Sequence, residues 1–160
     1  MPVEFIEVDY HNTDHARDLV ALLDAYACDP MGGGSPLSAT VKETLVAEFA
    51  KRPFAFSVIA YVDGEPAGLV NCFEGFSTFK ARPLINIHDV VVLPGFRGQR
   101  LAQRMLERVE AIARERGCCK LTLEVLSVNA AAQKAYERFG FAGQDQGEGT
   151  GHALFWEKVL

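Results

Sequence analysis

The stretch that decides the fold is His88–Arg104, HDVVVLPGFRGQRLAQR. Its β-branched run Val90-Val91-Val92 ends at Pro94-Gly95, and the chain then passes through Arg97-Gly98-Gln99-Arg100 into Leu101-Ala102. From Leu101 the apolar period becomes that of a helix. Leu101, Met105, Val109 and Ile112 share one stripe, with Leu106 and Ala113 beside it. A strand therefore runs through a tight turn into a helix whose first turn contains glycine. The N–H groups of such a turn lack intrahelical acceptors and the helix dipole is positive there, so the turn suits an anion. Arg97 and Arg100 are expected in that first turn, with no carboxylate before Glu107. Cations there oppose the dipole unless an anion binds. The plain alternative is a pair of solvated arginines at an ordinary strand–helix corner, and the turn alone does not choose between them.

The chain has 160 residues, enough for one domain with a real core, and one domain over 1–160 is expected. A hydrophobic fraction of 49% and a charged fraction of 23% are those of a globular protein in water. A net charge of −5 argues against nucleic acid as the main partner, because phosphate binding wants a basic face. The N-terminal MPVEFIEV has no basic and apolar leader pattern, and no apolar run reaches membrane-spanning length. The expectation is a cytoplasmic protein without a membrane partner. Cys28, Cys72, Cys118 and Cys119 lack metal-site spacing and read as reduced packing residues, so no metal is expected. Cys72 stays open as a nucleophile. Of the four histidines only His88 falls in an informative place.

Taken in order, Val3–Val8 alternates as a first strand, and Thr13 or Asp14 caps a helix carrying Leu19, Val20, Leu22, Leu23 and Tyr26. That helix stops near Asp29-Pro30, and residues 31–36 form a loop. Gly32-Gly33-Gly34 is not a phosphate cradle, since neither a leading strand nor a Lys-Ser/Thr pair accompanies it. Ser38 or Thr40 opens a second helix with Val41, Leu45, Val46 and Phe49. Phe54–Val62 and Ala67–Phe73 read as a hairpin closed by Asp63-Gly64-Glu65-Pro66. Leu84–Leu93 is the next strand, a helix over 97–116 closes at Gly117, and Lys120–Leu126 alternates as another strand. Asn129 caps a helix Ala130–Phe139 ended by Gly140, and His152–Val159 is a last strand. The strand–helix–strand crossover over 84–126 places two strands parallel in an otherwise antiparallel sheet.

Three runs carry a family resemblance: residues 90–102, VVVLPGFRGQRLA; residues 123–129, LEVLSVN; and residues 135–141, AYERFGF. They resemble the GNAT family of N-acetyltransferases, whose acyl-CoA signature R/Q-x-x-G-x-G/A reads here as Arg97-Gly98-Gln99-Arg100-Leu101-Ala102. The resemblance implies an α/β fold with a mixed, mostly antiparallel sheet, a central parallel strand pair splayed around the cofactor, and about four flanking helices. It implies acetyl-CoA as cosubstrate, with its pyrophosphate on the backbone N–H groups of Gly98 through Gln103, Arg97 also on the cofactor, and its pantetheine arm paired like a strand with Val90, Val91 and Val92. Asn129 matches a position that touches that arm, with Ala132 in the following turn. Asn129 serves equally as a helix cap. The family pattern usually has Gly where this chain has Arg100; because binding uses backbone N–H groups and Arg keeps its own, the site is expected to survive.

For chemistry the resemblance points to Tyr136, a phenol able to protonate a departing thiolate, against a plain reading as an aromatic packed beside Phe139 and Phe141. His88 and Asp89 are the candidates for the base or for holding an ammonium group. A regular strand points only one of them into a cleft, and a bulge would lift that limit. Residues 73–89 look like the matching stretch of diamine and thialysine acetyltransferases, which carry Leu-Glu-Asp where this chain has Ile87-His88-Asp89. The expected acceptor is therefore a primary amine on a small amino-acid-like or polyamine-like molecule, with Asp29, Glu74 and Asp89 as candidate acidic walls. The alternatives are a peptide or protein N-terminus, an aminoglycoside, or an acyl-CoA-binding regulator without turnover. A homodimer is left open.

Overall fold

The computed structural model describes residues 2–142 and 156–160, which fall into two compact units, Met1–Leu126 and Ser127–Leu160. The first unit runs β1 (Val3–Glu7), α1 (Thr13–Cys28), α2 (Ala39–Ala50), β2 (Ala55–Val62), β3 (Glu65–Ser77), β4 (Arg82–Val92), α3 (Leu101–Glu115) and β5 (Leu121–Leu123). Short 3-10 turns at Pro30–Gly32 and Pro94–Phe96 precede α2 and α3. The strands lie in the order β1-β2-β3-β4-β5, antiparallel as far as β4. β4 and β5 are parallel, as the crossover through α3 requires. The described part of the second unit contains α4 (Ala130–Phe139).

Alternation along the strands sorts side chains onto two faces, each covered by helices. α1 and α2 cover one face, where Leu19, Leu22, Val46 and Phe49 pack on Ala55, Ile59, Leu69 and Val91. α3 covers the other. Leu101 joins Val62 and Ala67 there, and a Cβ on Gly68 would stand 2.8 Å from the Met105 methyl and 3.0 Å from the Val91 carbonyl oxygen, so the bare glycine leaves room for Met105 to lie on the sheet. The α3 stripe read from the sequence is buried throughout: Leu101, Met105, Leu106, Val109, Ile112 and Ala113. Each of its larger members contributes about 1.5–3 kcal/mol of transfer free energy.

Several boundaries differ from the sequence expectations, each for a local reason. Asn12, not Thr13 or Asp14, caps α1, accepting from the N–H groups of Asp14 and His15. The β2–β3 turn is only Asp63-Gly64, both at positive φ, so the strands begin again at Glu65. β3 and β4 continue pairing through Phe76–Pro83 and Ser77–Arg82, where Gly75 and Pro83 break the alternation in the sequence. Pro83 lacks an N–H, but its carbonyl accepts from Cys119 at 2.8 Å. β5 is three residues, not the seven of Lys120–Leu126. α3 begins at Leu101, because Arg97 is extended and Gly98 and Arg100 have positive φ. Its end is as expected, with Gly117 at φ 72° and the Cys118 N–H returning to the Ala113 carbonyl at 2.9 Å. The expected strand His152–Val159 lies in its first half outside the described residues, and Trp156–Leu160 carry no regular structure. Among the described residues no helix is long and apolar enough to cross a membrane.

Candidate functional site

The site begins with one extra residue in β4. Asn71 of β3 pairs with Asp89, but Cys72, the next residue, pairs with Ile87, so His88 is inserted without a cross-strand partner. The bulge places both His88 and Asp89 on the α1–α2 face. The exposed His88 ring sits edge-on to Phe73, centroids 5.4 Å apart, and Phe73 stacks on Phe49 of α2. Asp89 Oδ2 accepts from Asn71 Nδ2 at 3.0 Å, and Oδ1 takes no hydrogen bond among the described residues. The bulge also marks where the parallel pair stops. β5 follows β4 only as far as Ile87–Leu123, so β4 from His88 to Val92 has no strand on that side among the described residues. An open edge of this kind accepts an extended, amide-bearing ligand.

That edge leads into the turn before α3. Arg104 N–H donates to the Arg100 carbonyl at 3.0 Å, which leaves the N–H groups of Leu101, Ala102 and Gln103 without an intrahelical acceptor. Asn12, Ser38 and Asn129 cap α1, α2 and α4 with their side chains, whereas Arg100 supplies no cap and the first turn of α3 holds no acid. Arg97 and Arg100 thus stand before the first helical turn and not within it. Arg97 reaches back, with Nε 3.4 Å from the Val92 carbonyl and Nη2 3.7 Å from Asp29 Oδ2. Arg100 makes no ion pair among the described residues and remains available to an anion. These groups fit a polyanionic ligand with an extended arm.

The three expected acidic walls separate. Asp89 faces α1, where its charge, with that of Asp29, adds to burial in raising the Tyr26 phenol above its ordinary range. Asp29 accepts from Met31 N–H at 2.9 Å and is drawn toward Arg97. Glu74 does not belong with them. It meets Arg116 at 3.4 Å, and that guanidinium lies over Phe56 on the α3 face. Cys72 is buried, and burial holds its thiol well above the ordinary range, with the Asp89 charge adding to the effect, which disfavours the thiolate a nucleophile would need. Behind Asp89 lie three residues that sequence reasoning missed. Asn71 Oδ1 accepts from Ser57 Oγ at 2.7 Å, and Ser57 Oγ lies 2.8 Å from the Tyr10 hydroxyl. The available signal was a single polar residue at an inward position in each of two apolar runs, Ser57 in AFSVIAYV and Asn71 in AGLVNCF.

In the second unit, Asn129 caps α4 by accepting from Ala132 N–H at 3.2 Å, so these two expected cofactor contacts engage one another. Tyr136 is half-buried, its ring edge-on to Phe141 at 6.0 Å, and Phe139 stacks on Phe141 with centroids also 6.0 Å apart. Among the described residues no group of three His, Cys, Asp or Glu is arranged to hold a metal ion.

A mixed α/β sheet whose parallel pair stops at Ile87–Leu123, leaving an open strand edge beside an uncapped helix N-terminus, fits an anionic, strand-like ligand. Comparison with known proteins gives the family. The profile of the acetyltransferase (GNAT) family matches residues 19–141, and the chain belongs to that family. It is 32% identical over 111 residues to the thialysine N-epsilon-acetyltransferase of Bos taurus, covering 63% of this chain and 64% of that protein. It is 40% identical over 80 residues to the streptothricin acetyltransferase of Streptomyces lavendulae, covering 50% of this chain and 40% of that one. The match therefore spans less than two thirds of either relative's length. Among solved structures, the complex of AAC(6')-Iy with a CoA bisubstrate analogue shares the fold, with a TM-score of 0.76 at 18% identity and both chains covered in full.

Proposed function

We propose that residues 1–160 act as one acetyltransferase domain that moves an acetyl group from acetyl-CoA to the primary amine of a small amino-acid-like or polyamine-like molecule. The observation that carries this reading is the bulge at His88. It sets an imidazole and a carboxylate side by side on one face, at the strand edge that leads to the uncapped turn. The backbone N–H groups of Gly98 through Gln103, with the Arg100 guanidinium, would hold the pyrophosphate, and the β4 edge at Val90–Val92 the pantetheine arm. The family pattern in LEVLSVN supports a part for Asn129 in holding the same arm.

Acetyl-CoA, when bound, supplies the acetyl group as a thioester. Asp89 holds the acceptor's ammonium group through its unengaged Oδ1. His88 takes the proton the amine must lose before it attacks. Tyr136 keeps a proton on its phenol oxygen for the leaving sulfur, a role supported by its place in the AYERFGF run of the family pattern.

The test is thiol release from acetyl-CoA with a panel of thialysine, lysine, spermidine, aminoglycosides and short peptides. Cys28 is exposed and free, so released CoA is read by chromatography and not by a thiol dye. Turnover of the small amines alone supports the reading, turnover only of peptides or aminoglycosides replaces the acceptor, and binding without turnover makes the protein an acyl-CoA sensor. Tyr136→Phe is expected to lower kcat by about tenfold or more with acetyl-CoA affinity retained. An unchanged kcat removes Tyr136 as the acid.

A further inference from the structure

The polar chain behind Asp89 has only one possible direction. An ionised carboxylate accepts and never donates, so the Asn71 side chain must turn its NH2 group to Asp89 and its carbonyl to Ser57. The Ser57 hydroxyl has a single hydrogen, and the Asn71 carbonyl takes it. Tyr10 must then be the donor to Ser57. Three dipoles thus line up with their positive ends toward one carboxylate oxygen, Oδ2. Ser57 and Asn71 are wholly buried at the middle of β2 and β3, where apolar side chains would pack at no polar cost. Nothing in the sheet itself requires them, because Ser57 and Asn71 face one another across β2 and β3 on a face otherwise filled by Ala55, Ile59 and Leu69.

We propose that Tyr10, Ser57 and Asn71 are positioning residues: a buried relay that fixes Asp89 by its Oδ2 and so presents Oδ1, in one orientation, to the acceptor's ammonium group. This rests on the reading of Asp89 as the acceptor anchor. The relay ties a carboxylate on an open strand edge to the buried middle of the sheet, and it sets the acceptor's KM from a point that no substrate touches. Tyr10 suits the outer end. Its ring stacks on Phe49 with centroids 5.1 Å apart, and burial pushes its phenol up to about 12, so it stays a donor over the whole working range of pH.

The experiment uses the full chain with thialysine and spermidine as amine probes at saturating acetyl-CoA, and compares Asn71→Ala, Ser57→Ala, Tyr10→Phe, Asp89→Ala and the double variant Asn71→Ala/Asp89→Ala. Asn71→Ala is expected to raise the probe's KM by about tenfold, since it strips a hydrogen bond from a charged group. Ser57→Ala and Tyr10→Phe should follow in descending order, with acetyl-CoA binding by calorimetry unchanged. The double variant should be no worse than Asp89→Ala alone, because Asn71 acts only through Asp89. Tyr10→Phe keeps the ring packing and serves if the Asn71 variant does not fold. Additive losses in the double variant, or a Tyr10→Phe enzyme with wild-type KM, overturn the relay while the Asp89 reading stands. An Asp89→Ala enzyme with unchanged acceptor KM, or no turnover of either probe by the wild type, overturns the anchor reading and the relay with it.

Discussion

Arg100 occupies the left-handed backbone region at φ 58°, in the motif position where the family pattern usually has Gly. An L side chain there costs on the order of 1–2 kcal/mol, which a glycine avoids. Arg100→Gly is therefore expected to hold or raise the thermal midpoint while weakening acetyl-CoA binding through loss of a cation beside the anion site. A fall in the midpoint would mean that the guanidinium contributes more to the free protein than its backbone costs. The sequence shows that Arg100 departs from the pattern, but not why Gly is usual there. The reason is a positive φ, which a residue name does not carry. His88 and Asp89 were legible as a pair and Glu74 was not separable from them, because the side of a sheet on which a charge falls depends on the register of its neighbours.

At the scale of the element, α3 was the most legible part of the chain, since its apolar stripe and its terminal Gly117 are local signals. Its start was misplaced by a full turn. Period alone cannot see that Gly98 and Arg100 have left the helical region. The free N–H groups at the start of an uncapped helix favour negative charge, and two sources of that charge can be set against each other. Ala102→Glu places a carboxylate in the first turn of α3. It is expected to stabilise the free protein by about 0.3–1 kcal/mol through the dipole, and to weaken acetyl-CoA by more than tenfold. Opposite signs in melting and in calorimetry are the signature; tighter or equal binding would move the anion site elsewhere. β3 and β4 were read short because Gly75 and Pro83 hide their alternation, though cross-strand pairing carries both through.

At the scale of the whole molecule, the mixed sheet with helices on both faces was legible from element order alone, because short connections leave few topologies. The buried polar chain was not, since its members lie far apart in sequence and meet only through strand register. It leaves a mark on global stability. Burial pushes the Tyr10 phenol up to about 12 in the folded protein, against about 10 in an unfolded chain. The folded state therefore holds that proton more tightly, so the contribution of Tyr10 is whole below about pH 10 and is lost as pH rises toward about 12. Tyr61 is shifted the same way, by burial first and by its hydrogen bond to Asp18 second. Melting from pH 9 to 11.5 should fall more steeply for wild type than for Tyr10→Phe. Parallel curves would mean that the Tyr10 phenol is no better protected folded than unfolded.

The inserted residue in β4 has a consequence for how this chain tolerates change in length. Elsewhere in a strand, losing one residue inverts every side chain beyond the cut and drives apolar groups into water. At His88 the opposite holds: Ile87 already faces α3 and Asp89 already faces α1, so excising His88 would join them in regular alternation. A variant lacking residue 88 is expected to unfold cooperatively with a midpoint near that of wild type, whereas one lacking Val90 should not fold. The imidazole would then be a guest of the scaffold, resting on Phe73 but carrying none of the strand pairing around it.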